Sequence, residues 1–285
     1  MPVAPTPVDI YHRAIEEGER RLSATRIELV ANGFNAGFTI VFGIAALGIV
    51  HALVEPAFGP QAAKLAGAAA FGIGLLFLVV SRAELFTENF FDPVATAFHH
   101  GERRVVLRLL RLWTVVLVLN LIGGAILVLI LSVEGVVPAG AHRALRTVAE
   151  EIAGKQAPAA FANAVVGGAV VTLLSFLLQA VDQVLSRMVI AYLIGFLLAV
   201  GPFAHVVVTA QHLLFGAMFG APVGFDSMAA DTAITAVGNL IGGLGFVTLS
   251  HVAQARGEQK RRRPNEAPAP VSPFPQGQNG GCPKG

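Results

Sequence analysis

Apolar positions along the chain gather into six runs free of charged residues: Leu29–Val54, Leu65–Ser81, Leu112–Val133, Gln156–Val181, Met188–Phe225 and Thr232–Ala255. A helix rises about 1.5 Å per residue, so roughly 20 apolar residues cross the hydrocarbon of a bilayer. Five runs reach that length and Leu65–Ser81 approaches it. The pattern predicts six crossing helices, and the stretches around them read differently. Residues 8–28 predict a polar helix with a narrow apolar stripe of Ile10, Ala14, Ile15 and Leu22, capped by Thr6 or Asp9 and lying as an anchor along the inner membrane surface. From Gln254 to Gly285, six prolines, five glycines and the basic run Lys260–Arg263 predict a disordered tail.

Composition strengthens this picture. Of 285 residues, 54% are hydrophobic and only 13% charged, against about a quarter charged in soluble chains. Coiled coil, collagen and nucleic-acid-binding domains are excluded. The single cysteine, Cys282, excludes an internal disulfide and a cysteine metal site. No nucleophile–base pair, phosphate loop or metal cluster points to an enzyme or a cofactor, and His99-His100 reads as interfacial. The charge-rich first 28 residues contain no signal-peptide core, so the first span acts as the insertion signal.

Charge sets the expected orientation. With the N-terminus in the cytoplasm, 15 of the 20 Lys and Arg fall inside, including the Arg103–Arg111 group, Arg187 and the C-terminal cluster. Lys64, Arg143, Arg146 and Lys155 fall outside, and Arg82 lies within a span. Both termini are therefore expected in the cytoplasm of a multi-pass plasma (inner) membrane protein.

An internal repeat organises the spans. Asn120-Leu121-Ile122-Gly123-Gly124 recurs as Asn239-Leu240-Ile241-Gly242-Gly243, each in the third span of a three-span half. Three is odd, so the second copy inserts upside down. The asparagines would be costly in lipid and the glycines allow close helix approach, so both pentapeptides read as helix packing. Each second span is also interrupted. Arg82, Glu84, Glu88 and Asp92 cannot face hydrocarbon, and Pro93 disfavours an α conformation at Asp92. In the other half, Pro202 breaks a 38-residue run that places His205 near the midplane. Broken helices at matching places, lining a cavity, mark a transporter or channel. A histidine satisfied by a backbone carbonyl is the plainer reading of His205 alone; the break around it favours a pathway.

At Leu85-Phe86-Thr87 and Phe203-Ala204-His205, and in their order and spacing, the sequence resembles the formate/nitrite transporter family, in a divergent, YfdC-like branch. The similarity covers about residues 25–253. It implies an all-α polytopic membrane protein with six transmembrane helices in two inverted three-helix repeats (about 29–133 and 156–253), the second and fifth broken, in an aquaporin-like architecture. The N-terminal helix (1–28) and the tail (254–285) flank the 29–253 transporter domain. The resemblance further implies a homopentamer passing small monovalent anions, such as formate or nitrite, with or without protons.

Carried residue by residue, the resemblance places His205, Thr87, Thr209, Glu88 and Arg187 on the pathway. It places Phe71, Leu75 and Leu198 at an inner constriction, and Leu85 and Phe86 at an outer one. Glu88 after the loop threonine and Val206-Val207-Val208-Thr209 after the histidine depart from the family pattern. An ion-pair network of Arg82 with Glu84, Glu88 and Asp92 would leave anion passage open. An ionised Glu88 facing the pathway would instead suit proton-coupled cation or other weak-acid exchange. A non-conducting membrane scaffold is the third alternative.

Overall fold

The computed structural model describes residues 5–262. The first helix, α1 (Pro7–Leu22), starts at a capping box in which the Thr6 hydroxyl accepts from Asp9 N–H and the Asp9 carboxylate accepts from Thr6 N–H. Another box, Thr25 with Glu28, starts α2 (Arg26–Val80). At 55 residues, α2 would be about 80 Å long if straight, far beyond a bilayer. It breaks at Gly59, whose φ of 79° is open to glycine, between Pro56 and Pro60. The chain reverses there: Gly43 packs on Gly74, and Gly67 on Leu47 and His51, an antiparallel register for the arms 26–58 and 60–80.

After Val80 the chain leaves helical geometry. Arg82 takes φ 55°, a short 3-10 turn runs Phe86–Phe90, and α3 (Asp92–His100) resumes with Pro93 in its first turn. The helices α4 (Arg103–Leu131), α5 (Ala139–Ala153) and α6 (Ala157–Gln179) follow. Then α7 (Val184–Val200) stops at Gly201-Pro202, and α8 (Val206–Met218) begins after His205. Last come α9 (Phe225–Leu240), a π-helical stretch Ile241–Thr248 and α10 (Leu249–Arg262). Arg263, Cys282 and the rest of the expected tail lie outside the described residues, while 254–262 continue α10.

Two asparagines hold the interrupted segments. Asn120 accepts from Phe86 N–H at 2.9 Å and donates to Gly33 O at 2.8 Å and Glu84 O at 3.1 Å. Asn239 accepts from Val206 N–H at 2.9 Å and donates to Ala164 O at 2.7 Å and Ala204 O at 2.8 Å. Each amide thus satisfies one N–H and one carbonyl of a non-helical turn in an apolar interior, and also bonds a carbonyl within a neighbouring helix. The glycines beside them repeat the correspondence. A β-carbon at Gly123 would strike Phe34 O and one at Gly242 would strike Val165 O. Gly37 and Gly168 lie likewise against the main chain of Asn120 and Asn239.

The bundle's outward surface is apolar, with Phe42, Phe77, Leu107, Val118, Ile122 and Leu129 exposed. Four helices are long and apolar enough to cross a membrane among the described residues: Arg26–Val80, Arg103–Leu131, Ala157–Gln179 and Phe225–Arg261. With an apolar surface of that extent the chain is an integral membrane protein. One end of the bundle, here the α1 face, carries α1 and the end of α10. The other, the α5 face, carries α5 and the turn of α2.

The sequence predicts that the stripe of α1 lies on lipid, and the structure corrects this. Ile10, Ala14 and Ile15 are buried against Phe91, Ala95, Val252 and Ala255. Thr96 Oγ1 donates to Ile15 O, Tyr11 OH to Ala95 O, and Arg13 bridges to Gln179 O and Asp182. Amphipathicity alone does not separate a membrane surface from a protein groove as the cover of a stripe.

Candidate functional site

The two interruptions meet in the middle of the bundle. Thr87 lies in the 3-10 turn and His205 is the residue before α8; both are almost fully buried. Thr87 Oγ1 and His205 Nε2 are 2.6 Å apart. That bond engages one ring nitrogen and leaves Nδ1 without a hydrogen-bond partner among the described residues. A neutral imidazole keeps one donor and one acceptor nitrogen, so His205 has a second polar contact to offer.

A cavity of about 480 Å³ reaches His205 from the α5 face. Phe71, Leu198 and Phe203 give it an apolar lining near His205, and Thr209 and His212 of α8 add polar groups. Lys64, Glu151 and Lys155 stand toward its rim. His205 and Thr209 are four apart along α8, so both reach the same wall. Leu75 is buried in the same core without lining the cavity.

Leu85 and Phe86 lie elsewhere. They precede Thr87 in the 3-10 segment, away from the chamber, with Phe86 stacked edge-on against Phe90 and Trp113. With the orientation expected from the charges, this exchanges the inner and outer constrictions. Phe71 and Leu198 belong to the α5 face, which bears the loops expected outside, and the Leu85–Phe86 step lies on the α1 side of Thr87. The reversal follows from the direction of α2: its second arm starts at the α5 face, so Phe71 precedes the break and Leu85 follows it.

The acidic residues of the break face α1. Glu88 Oε2 accepts from Leu85 N–H at 3.1 Å and caps its own turn. Arg21 is inserted against them, 3.4 Å from Asp92, and hydrogen-bonded to Glu88 O and Asn89 Oδ1. Arg20 reaches Glu84 at 3.4 Å, and Glu17 holds both arginines at 2.7 and 2.9 Å. The expected partner, Arg82, is exposed and makes no ion pair among the described residues. A carboxylate in an apolar interior needs a counter-charge, and α1 provides it from 60 or more residues upstream. No residue of this acidic group lines the chamber.

Around Glu17, burial alone would pull the carboxyl's pKa up. Hydrogen bonds and charge from Arg20 and Arg21 outweigh it and hold the group at about 2, against an ordinary 4.5. Arg187, near the start of α7, donates to Leu178 O at 2.9 Å and so closes the end of α6. The sequence reading missed Arg20, Arg21 and Glu17 as partners of the break, and His51, His212 and Asp231 as chamber residues. His212, seven positions beyond His205, carried the one periodic signal that brings a further titratable group to the same wall. His99-His100 is confined to the α1 face, with His100 2.8 Å from Glu19.

A helical membrane protein in which two non-helical turns meet at a buried histidine, entered by a chamber from one face, has the architecture of a channel or transporter. The profile of the Formate/nitrite transporter family matches residues 8–253, and the chain belongs to that family, whose members are transporters and channels rather than enzymes. It is 24% identical over 258 residues to the inner membrane protein YfdC of Escherichia coli (strain K12), covering 90% of this chain and 82% of YfdC. It is 30% identical over 119 residues to the uncharacterized transporter YrhG of Bacillus subtilis (strain 168), covering 41% and 43% of the two chains. A solved structure described as an FNT family ion channel superposes with a TM-score of 0.73 at 16% identity, covering 86% of this chain and 98% of that one. A pentameric formate channel with formate bound superposes at 0.67 with 21% identity, covering 80% and 96%.

Proposed function

We propose that the protein passes a small monovalent anion, formate, nitrite or a similar weak-acid anion, across the membrane, with a proton exchanged at His205. The observation that carries this reading is the buried Thr87–His205 pair at the end of the chamber. A bare anion in an apolar slit costs several kcal/mol even after relaxation, on the order found for buried ions in proteins. Formic and nitrous acids are neutral when protonated and cross apolar side chains at lower cost. An imidazole with a reference pKa near 6.5 is suited to lending that proton. Thr87 fixes the ring through Nε2 and leaves Nδ1 for the ligand. Phe71 and Leu198 on one side of the pair, and Leu85 and Phe86 on the other, then exclude water and hydrated ions. Thr209 extends the polar wall toward the α5 face, and Arg187 draws anions at the opposite mouth.

In this reading the chain crosses six times, as two inverted halves of three. The paired asparagine contacts support that arrangement, because each ties a break to the first helix of its own half. The termini lie in the cytoplasm, as the distribution of Lys and Arg favours. Protomers assemble as homopentamers, like the pentameric formate channel that shares this fold, each protomer carrying its own pathway. The acidic residues of the break are engaged by α1 instead of the chamber, which favours anion passage over cation exchange through Glu88.

Formate uptake into proteoliposomes, beside empty liposomes and with and without an inward proton gradient, tests the proposal. Proton-stimulated uptake is the expected result. Absence of flux for formate, nitrite and other small weak acids, in protein that remains folded, would reject it in favour of the scaffold alternative.

A further inference from the structure

The chamber holds a second histidine that the pathway described so far does not use. His212 is 5% exposed, lines the cavity, and has an Nδ1 with no hydrogen-bond partner among the described residues. A histidine kept in an apolar interior for packing alone normally has its ring nitrogens satisfied. Seven residues separate it from His205, two turns or about 10 Å along α8. Thr209 stands between them, four residues after one and three before the other. The three side chains make a polar stripe running from the chamber to the buried pair.

The charges around His212 make this stripe selective in a particular way. Apart from His205 and His212 themselves, the titratable groups lining the chamber are His51 and Lys64 of α2, Glu151 of α5, Lys155 of the following loop and Asp231 of α9. The α4 helix, also packed on α8, contributes none of the lining. Two lysines therefore stand against two carboxylates. Lys64 is 3.9 Å from Glu151, and His51 lies 3.9 Å from Glu55. Once those cancel, the sign of the chamber is set by its histidines. It becomes positive when they take protons. Asp231 adds a buried carboxylate oxygen without a partner among the described residues, placed to compete with an anion while the histidines are neutral.

We infer that His212 forms an outer docking station for a small monovalent weak-acid anion, ahead of the Thr87–His205 pair. The inference rests on the transport reading and deepens it. His212 holds the anion through Nδ1–H, in a chamber that favours negative charge when its histidines are protonated, and the anion passes along Thr209 to His205. A docking residue of this kind acts on the affinity of the outer side and leaves the central step intact.

The test compares wild-type, His212→Asn and His212→Gln proteins in proteoliposomes, with formate presented on the α5 face. The amide variants keep a polar group of similar size, and the second guards against a folding defect in the first. Losing one hydrogen bond to a charged ligand should raise KM for formate roughly 10-fold, with maximal flux within about twofold of wild type. In both variants KM should respond less to external pH than it does in the wild type. An unchanged KM and pH profile, or a fall in maximal flux alone, would overturn the assignment. If wild-type protein carries no formate, the transport reading fails and the docking site still stands or falls by itself. In 15N-histidine-labelled protein, added formate should shift one imidazole signal that is missing from the His212→Asn spectrum. The absence of any formate-dependent shift at His212 would overturn the site.

Discussion

Thr87 Oγ1 and His205 Nε2, 118 residues apart in sequence, meet at 2.6 Å and join the two interrupted segments of the bundle. A buried hydrogen bond of this kind fixes both the ring plane and the choice of free nitrogen. Thr87→Val removes the hydroxyl while keeping the shape. It should lower formate flux about 10-fold, the equivalent of one hydrogen bond of about 1.4 kcal/mol. Thr87→Ser, which keeps the hydroxyl, should stay close to wild type. Equal fluxes for the valine and serine variants would show that the bond is not used.

The asparagine staples make a prediction about symmetry. Asn120→Ala and Asn239→Ala each free two main-chain groups of a non-helical turn, Phe86 N–H with Glu84 O and Val206 N–H with Ala204 O. Each unsatisfied buried group costs about 1–3 kcal/mol, so both variants should be strongly and similarly destabilised. Thermal unfolding in detergent measures this directly. A large loss for one and a small loss for the other would mean that only one break depends on its amide.

Arg21 is the counter-charge of a buried acidic group and Arg82 is not. Arg21→Ala leaves Asp92 unpaired in the interior, a change that costs about 3–5 kcal/mol when one partner of a buried pair is removed. Arg82→Ala, at an exposed position, should lie within about 0.5 kcal/mol of wild type. Thermal unfolding of the two variants discriminates them, and comparable losses would contradict the pairing.

Acid should loosen α1 before the bundle. Glu17 is held at about 2 in the folded protein against an ordinary 4.5. A group whose pKa is depressed by folding stabilises the fold above its unfolded pKa and loses that contribution as pH falls through the folded value. The Glu17 contribution is therefore complete at pH 7, begins to fall near pH 4.5 and is gone below about 2. Protection of the α1 amides, measured against their intrinsic exchange rates, should fall over that window, and Glu17→Gln should show reduced protection at neutral pH already. Protection in α1 that is constant between pH 5 and 3 and unaffected by Glu17→Gln would contradict this linkage.

The apolar helices of a membrane protein were legible in the sequence because a charge-free run of bilayer length is hard to bury anywhere but in a membrane. The interruptions at Arg82–Pro93 and at Pro202 were legible too, because a charged or proline-broken stretch inside such a run must be sheltered. The repeated pentapeptide pointed to packing, and Asn120 and Asn239 do pack, though the main-chain groups they satisfy could not be named without coordinates. The partners of Glu84 and Asp92 were not legible. Arg82 was nearest in sequence, whereas Arg20 and Arg21 became partners only through the docking of α1, a contact that no periodicity encodes. The order of the apolar side chains along the bundle was not legible for a related reason: it depends on which way each arm of α2 runs past the centre. The chamber was hidden because its wall is assembled from α2, α5, α6, α7, α8 and α9, segments far apart in the sequence.

The central claim is that His205 exchanges a proton with the passing anion. Initial formate uptake, measured against external pH in proteoliposomes of wild-type and His205→Asn protein, tests it most directly. Wild-type uptake should climb as pH falls, and the asparagine variant should lose that dependence while remaining folded. A variant with an unchanged pH profile and undiminished flux would contradict the claim and leave His205 a structural partner of Thr87.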